Sequence, residues 1–186
     1  AAASGAKGLE AGAYVRTSEG LHYRTAKLCP VPADAWASFT VAVGGGSSEW
    51  VPAGHAKPWG GEAAVQVMEL GVWVQAAGEG RAVVCLDNVE LIGNEAEPIL
   101  AFDFEKAAEG WGASAAAEVE RVPAPSSGGR RGFAIRAAPA FPGAAAVAVE
   151  RSMAWRDADS LRFDLCVPGS GARDLYVTAW VRNADG

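Results

Sequence analysis

The sequence predicts an all-β protein, an antiparallel β-sandwich or barrel. Helical periodicity is nearly absent, and short segments of about four to a dozen residues tend to alternate apolar and polar side chains. Clusters of Gly, Pro, Ser and Asp interrupt these segments at the spacing that is typical of sandwiches and barrels. We therefore expect about ten strands.

The predicted strands share apolar alternation and end at turn-forming residues. The segment 83–91, VVCLDNVEL, is rich in β-branched residues, and the segment 100–105, LAFDFE, forms a second short strand before the turn at Gly110. A polar connector at 92–99 joins these two. In chain order the predicted strands are 12–17, 21–26, 36–43, 64–76, 81–92, 100–105, 115–122, 132–137, 144–151, 160–167 and 174–182.

Composition excludes several classes of protein. A net charge of −6 and an isoelectric point near 5.0 argue against a nucleic-acid-binding protein, because no basic patch competes with the acidic background. No apolar run approaches the ~18–20 residues of a membrane helix. The chain starts Ala1-Ala2-Ala3 with no methionine and no recognisable signal peptide, so we expect a segment processed or excised from a longer protein.

The three cysteines have no metal-binding spacing. Cys85 and Cys166 lie within predicted strands, and Cys29 lies in a loop. Two interpretations stay open. The thiols are small buried apolar side chains, or one disulfide forms with a leftover thiol, which would fit an extracellular setting.

The chain repeats one segment. Residues 4–20, SGAKGLEAGAYVRTSEG, align without a gap to residues 170–186, SGARDLYVTAWVRNADG, with eight of 17 positions identical. Chance would give roughly one or two identities at an average composition. The offset of 166 residues is about the length of one domain, and a fixed period indicates duplicated domains in a parent sequence.

Several motifs resemble the galactose-binding-like β-jelly-roll carbohydrate-binding modules. The strings WASFTVAV, EWV, LGVWV and VCLDNV resemble the second half of such a module, and FDFE, EGW, SSG, LRFD and VP resemble the first half. The halves stand in reverse order, so the resemblance implies a circularly permuted jelly roll. The connector 92–99 is then an internal joint between first and last strands, which lie close together in this fold.

This interpretation gives a single jelly-roll domain over residues 21–186. Residues 1–20 then carry a strand copy that is repeated at 170–186, and two copies cannot occupy one position in a closed sheet. One copy must be displaced, disordered or paired with a neighbouring chain, and a free copy is a ready donor for strand addition or domain swapping.

The resemblance also implies a structural calcium ion, because the family often holds one between its first strand, the following loop and its last strand. The implied ligands are the side chains of Asp87 and Glu105 and carbonyl groups in the loop from Ser127 to Gly129, with Asp103 as a weaker option. The alternative is that Asp87 caps a strand end and Glu105 is solvated.

A carbohydrate site needs a flat aromatic platform with polar groups beside it. Strand alternation directs a set of aromatic, amide and charged side chains outward, and Tyr14 and Arg16 hold matching places in the first strand copy. The alternative is that the aromatics pack beneath a loop or against another subunit. The predicted carbohydrate-binding residues are Trp73, Gln75, Asp164, Tyr176, Trp180 and Arg182.

Nothing in the sequence supports catalysis. His22 and His55 are the only histidines and neither has nucleophile or ligand spacing, while the glycine run 44–46 lacks the residues of a phosphate-binding loop. The leading expectation is a non-catalytic module that binds a polysaccharide or glycan, from an extracellular or cell-surface repeat protein. The alternative is a structural subunit that assembles head to tail into filaments by strand donation or domain swapping.

Overall fold

A computed structural model of the chain describes residues 9–60, 66–76, 83–95, 97–113, 118–122, 127, 132–136 and 144–167. Within these ranges every regular element is a β-strand, and none is a helix. The strands are β1 (Leu9–Thr17), β2 (His22–Thr25), β3 (Cys29–Pro30), β4 (Ala37–Ala42), β5 (Trp50–Ala53), β6 (Gln66–Ala76), β7 (Val83–Gly93), β8 (Leu100–Phe102), β9 (Trp111–Ala113), β10 (Glu118–Val122), β11 (Gly132–Arg136), β12 (Ala144–Ala154) and β13 (Ala158–Cys166).

The strands form two antiparallel sheets. The seven-stranded sheet has the order β5-β2-β1-β6-β12-β9, with β3 beside β1, and the six-stranded sheet has the order β10-β11-β7-β13-β4, with β8 beside β7. All pairings between these strands are antiparallel. This confirms the predicted all-β, antiparallel class.

One hydrophobic core joins the two sheets. Inward residues of the seven-stranded sheet, such as Val72 and Val147, belong to the same buried cluster as Leu161 and Phe163 of the six-stranded sheet. β13 buries Leu161, Phe163 and Leu165 in alternation, which is the pattern that the period-two spacing predicts. β12 instead buries all four residues of the range 146–149. Two antiparallel sheets around one core are compatible with a β-sandwich.

Most of the tryptophans pack into this core. Trp50, Trp59 and Trp155 contact one another through their rings, and Tyr23 packs edge-on against Trp59. Trp111 lies edge-on to Phe102 and Phe104 and is also buried. These aromatic residues therefore contribute to stability, and they are removed from the set that a ligand can reach.

Strand ends differ from the sequence prediction where the elements are short. The two- to four-residue strands β3, β5 and β9 were not predicted, because so few residues carry no readable alternation. The predicted strand 100–105 ends already at Phe102, since Phe104 adopts a positive φ of 55° and leaves the extended conformation. The predicted strand 174–182 lies outside the described residues.

Two connections position the rest of the molecule. β7 and β8 pair as antiparallel neighbours across the connector 92–99, with Leu91 opposite Leu100. The first strand copy, β1, lies inside the seven-stranded sheet, where it pairs with β2 on one side and β6 on the other. Both edges of β1 are therefore paired with neighbouring strands.

Candidate functional site

The outer face of the seven-stranded sheet carries two aromatic rings from adjacent strands. Tyr14 of β1 lies opposite Gly71 of β6, and Trp73 of β6 lies opposite Gly12 of β1. A Cβ atom added to Gly71 would lie 2.0 Å from Cε1 of Tyr14, and one added to Gly12 would lie 2.9 Å from Nε1 of Trp73. Each ring therefore covers the glycine of the neighbouring strand.

This reciprocal arrangement follows from the sequence of the two strands. Leu9, Ala11, Ala13 and Val15 of β1 point into the core, so the residues between them are directed outward. β6 does the same with Val72 and Val74 buried and Trp73 half-exposed. Glycine opposite a large ring lets the ring lie flat, which is a common way for an aromatic side chain to cover a glycine in a sheet.

Polar side chains surround the two rings. At one end, Gln75 Nε2 donates a hydrogen bond of 3.1 Å to Glu10 Oε2. At the other end, the Tyr14 hydroxyl donates to Glu69 Oε1 at 3.1 Å, and Arg16 Nε donates to Glu69 Oε2 at 2.8 Å. We call the set Glu10, Gly12, Tyr14, Arg16, Glu69, Gly71, Trp73 and Gln75 the aromatic face.

His22 stands beside the charged end of the aromatic face, opposite Arg16 in the register of β1 and β2. Burial lowers the pKa of His22 below its ordinary value of 6.5, since it disfavours the imidazolium form. The carboxylate of Glu69 opposes this shift, while the charges of Arg16 and His55 add to it. The imidazole is therefore neutral at pH 7.

Two buried polar atoms border Gly12. Trp73 Nε1 and Thr25 Oγ1 have no hydrogen-bond partner among the described residues, and both lie within 3 Å of the position that a Cβ on Gly12 would take. Buried polar groups are nearly always paired in folded proteins. The aromatic face thus has an unmatched indole N–H and hydroxyl at its edge.

A second group of polar side chains lies on the six-stranded sheet, and we call it the carboxylate cluster: Ser38, Asp87, Asn88, Ser127 and Asp164. The Ser127 N–H donates to Asp87 Oδ2 at 2.9 Å, and its hydroxyl donates to Asp164 Oδ2 at 2.7 Å. Asn88 Nδ2 donates to Asp164 Oδ2 at 3.0 Å, and the Ser38 hydroxyl donates to Asp164 Oδ1 at 2.5 Å.

A bulge in β7 assembles the carboxylate cluster. Asn88 adopts a positive φ of 46°, and the register between β7 and β13 shifts between Arg162 and Asp164. Asn is one of the few residues that tolerates this conformation. The bulge places Asp87 opposite Asp164, and the Asp87 carboxyl group is 1% exposed. N–H and O–H groups of Ser38, Asn88 and Ser127 donate hydrogen bonds to the two carboxylates.

Two of the implied calcium ligands, Asp87 and Ser127, meet in the carboxylate cluster. Glu105 follows β8 and is half-buried, and its N–H donates to Asp103 Oδ1. Gly129 lies outside the described residues. In the part of the chain that the structure describes, no three His, Cys, Asp or Glu side chains converge on one point.

The predicted carbohydrate-binding residues divide between the two sheets. Trp73 and Gln75 lie on the aromatic face, but Asp164 lies in the carboxylate cluster on the six-stranded sheet. Sequence alternation gives the direction of a side chain but not the sheet to which its strand belongs. The remaining predicted residues, Tyr176, Trp180 and Arg182, lie outside the described residues.

Sequence reasoning missed Glu10, Glu69 and His22. Glu10 holds the outward place in the first copy that Tyr176 holds in the second, so the repeat alignment contained the signal. Glu69 shares the alternation of Trp73 and Gln75, so the outward direction was readable, but its pairing with Arg16 of β1 depends on which strands are neighbours. His22 follows from strand pairing, which the sequence does not display.

No family model, curated protein or solved structure matches this chain. The site must be interpreted from its own chemistry. The described residues contain no helix long and apolar enough to cross a membrane.

Proposed function

We propose that the chain is a non-catalytic carbohydrate-binding module and that the aromatic face is its binding surface. The pair of rings on the outward side of β1 and β6, with hydrogen-bonding side chains at both ends, is the observation that carries this proposal. The C–H faces of a sugar ring pack against aromatic rings, and its hydroxyl groups bond to carboxylate, amide and guanidinium groups. The aromatic face supplies both kinds of contact.

The charge of the aromatic face favours a neutral glycan. Glu10 and Glu69 lie on it, and Glu150 reaches within 3.9 Å of Arg16. Two positive charges oppose these three carboxylates. They belong to Arg16 and to Arg24, which lies opposite Tyr14 in β2. A glycan rich in uronic acid or sulfate would therefore meet net repulsion, while a neutral polysaccharide would not.

The same proposal includes the permuted jelly-roll order and an extracellular or cell-surface location. The pairing of β7 with β8 across the connector 92–99 supports the permuted order, because it holds the implied last and first strands side by side. The resemblance of the sequence motifs to jelly-roll modules supports the same order, and so does the position of β1 between β2 and β6.

A structural calcium ion remains part of this proposal, with Asp87, Glu105 and Ser127 as its described candidates. Binding of the ion only to the folded state would raise the thermal midpoint. The measurement compares thermal unfolding in 2–5 mM calcium chloride with unfolding in chelator; this concentration is roughly 2- to 50-fold above the Kd values, about 10⁻⁴–10⁻³ M, of typical extracellular sites. An unchanged midpoint removes calcium from the proposal without affecting the aromatic face.

The test of carbohydrate binding is affinity electrophoresis through gels that contain soluble neutral polysaccharides. Wild-type protein is expected to be retarded by at least one of them, and Trp73→Ala is expected to bind roughly tenfold or more weakly, because a central aromatic anchor carries a large share of binding energy. Thr40→Ala is the matched control, since Thr40 is exposed on the other sheet. Retardation that survives Trp73→Ala would place binding elsewhere.

A second candidate function is strand donation to a neighbouring module. The second strand copy, residues 170–186, is called the tail copy below. It repeats three of the four inward residues of β1, with Leu175, Ala179 and Val181 at the positions of Leu9, Ala13 and Val15. A strand with this pattern suits the slot between a β2 and a β6. This supports a structural role in which modules are joined through the duplicated strand.

Two substitutions in the tail copy make it a poor occupant of this chain's own slot. Thr178 stands at the position of Gly12, where a Cβ would lie 2.4 Å from Thr25 Oγ1 and 2.9 Å from Leu28 Cδ2. Val177 stands at the position of Ala11, which is 1% exposed in the core. Overpacking of this kind typically costs about 1–3 kcal/mol. The proposed acceptor is therefore a module with more room at these two positions.

Self-association of the full-length chain tests this candidate. Wild type is expected to remain monomeric in sedimentation experiments, and the double variant Val177→Ala, Thr178→Gly is expected to self-associate by inserting its tail into the slot of another copy. Thr178→Ser is the control, because it retains a Cβ. Association of wild type as strong as that of the double variant, or no association of the double variant, would contradict the account.

A further inference from the structure

Two of the three cysteines lie directly opposite each other in the six-stranded sheet. Cys85 of β7 pairs with Cys166 of β13, and the register runs without interruption from Asp164 opposite Asp87, through Leu165 opposite Leu86, to this pair. Both thiols are free, and they are 0% and 4% exposed. The bulge at Asn88 ends before this stretch begins, so the local pairing is regular.

The geometry of such a pair suits a disulfide. Residues directly opposite in an antiparallel pair have Cα atoms about 4.5–5.5 Å apart and side chains on the same face. A disulfide requires Cα atoms about 4.4–6.8 Å apart. The bond therefore needs side-chain rotation and no rearrangement of the two strands.

The third cysteine is excluded from this pairing. Cys29 lies in β3 of the other sheet, opposite Ala11 of β1. The two sheets are separated by the core, since stacked sheets pack about 10 Å apart. Of the three pairings that the sequence allows, only the one between β7 and β13 has its partners side by side.

We propose that Cys85 and Cys166 are a cross-strand disulfide site, with Cys29 as the leftover thiol. The reaction is thiol–disulfide exchange with a small-molecule disulfide such as oxidised glutathione. One protein thiolate attacks glutathione disulfide and releases one glutathione; the second protein thiolate then attacks the mixed disulfide and releases the other. Two thiols lose two protons and two electrons, and one glutathione disulfide becomes two glutathione molecules.

Burial determines when the bond forms. Burial raises the pKa of the Cys85 thiol to about 12, with smaller contributions from Cys166 and Asp87, so the reactive thiolate is scarce once the sheet has closed. The exchange therefore belongs to folding, when β7 and β13 are still accessible. After folding the same burial protects the bond from reduction.

The bond would join the two halves of the chain. β7 precedes the connector 92–99 and β13 is the last described strand, so the disulfide closes a loop that contains β8 to β12. Constraining a long loop removes conformational freedom from the unfolded chain. We expect the thermal midpoint of the oxidised protein to exceed that of the reduced protein by on the order of 10 °C.

Peptide mapping tests the proposal on the full chain. Arginines and lysines separate the three cysteines, so trypsin releases each in a different peptide. After refolding in a glutathione redox buffer, we expect one disulfide-linked pair, AVVCLDNVELIGNEAEPILAFDFEK with FDLCVPGSGAR, and one thiol that alkylates, at Cys29. Three alkylated cysteines, or a link that includes Cys29, would overturn the proposal.

Two variants show whether the response of the thermal midpoint to reductant comes from this cysteine pair. Cys29→Ser is expected to keep the disulfide and the redox-dependent shift of the midpoint, whereas Cys85→Ala with Cys166→Ala is expected to fold with a midpoint that no longer responds to reductant. A shift of equal size in the double alanine variant would overturn the proposal, because it would show that reductant acts elsewhere. Neither readout depends on ligand binding by the aromatic face.

Discussion

Gly71 supports the ring of Tyr14, and this contact makes the aromatic face testable one residue at a time. In Gly71→Ala the added Cβ would lie 2.0 Å from Cε1 and 2.2 Å from Cζ of Tyr14. The ring must move, so we expect the free energy of unfolding in urea to fall by about 1–3 kcal/mol.

Gly112→Ala is the matched control for this substitution. Gly112 also lies in a strand of the seven-stranded sheet, but a Cβ there meets nothing within 4 Å. We expect its free energy of unfolding to stay within about 0.5 kcal/mol of wild type. The double variant Gly71→Ala, Tyr14→Ala should lose less than the sum of its single changes, and strict additivity would contradict the ring-over-glycine contact.

His22 gives the aromatic face a pH dependence whose sign follows from burial. Because its pKa is lowered in the folded state, the unfolded chain binds a proton near pH 6.5 before the folded chain does. The stability that neutral His22 contributes is therefore complete above pH 6.5 and is lost as the pH falls through the folded pKa.

Urea midpoints measured from pH 8 to pH 5.5 test this assignment. We expect the wild-type midpoint to decline below pH 6.5 more steeply than that of His22→Gln, while Thr40→Ala follows the wild-type profile. Equal slopes in wild type and His22→Gln would show that another group controls this range.

The sequence was sufficient to predict the outward direction of residues that obey strand alternation. Trp73 and Gln75 are placed by the apolar residues on either side of them, and the structure has both half-exposed. Glu69 obeys the same alternation, but its contacts with Tyr14 and Arg16 follow from the pairing of β1 with β6, which alternation does not display. Asp164 points outward as expected but from the other sheet, because alternation contains no information on which strands become neighbours.

Among the elements, β7 combines an ordinary buried strand with a bulge that positions the carboxylate cluster. Asn88 contributes a backbone conformation at φ 46° and side-chain bonds to Ser127 and Asp164. Two substitutions separate these contributions. Asn88→Gly keeps the conformation and loses the bonds, and Asn88→Val loses both.

We expect Asn88→Val to be less stable than Asn88→Gly by about 1–3 kcal/mol in urea unfolding, because a β-branched residue is strained at positive φ. Asn88→Gly itself should lose stability through the missing side-chain bonds. Equal stability of the two variants would mean that the bulge relaxes and that the backbone conformation is not required.

The longest strands are among those that the sequence predicted, because they are long enough to show a period. β6, β7, β12 and β13 run for nine to eleven residues, and each overlaps a predicted strand. β3, β5 and β9 exist because neighbouring strands offer them backbone partners, which is tertiary information. Local sequence does not contain it.

For the whole molecule, short alternating segments separated by turn-forming residues were sufficient to predict an all-β antiparallel class. The sheet order was not predictable, because β1, β6 and β12 are distant in sequence yet adjacent in the sheet. The 17-residue repeat nevertheless indicated that one strand position is special. The structure fills that position with the first copy, which has Ala11 and Gly12 where the second copy has Val177 and Thr178.

Titration calorimetry of wild type and Trp73→Ala against the most strongly retarding polysaccharide measures whether the aromatic face binds a neutral glycan, as we propose. We expect saturable binding by wild type and an affinity roughly tenfold or more lower for Trp73→Ala, with both proteins unfolding cooperatively. Equal affinity of the two proteins, or binding by neither across the neutral polysaccharides, would contradict it.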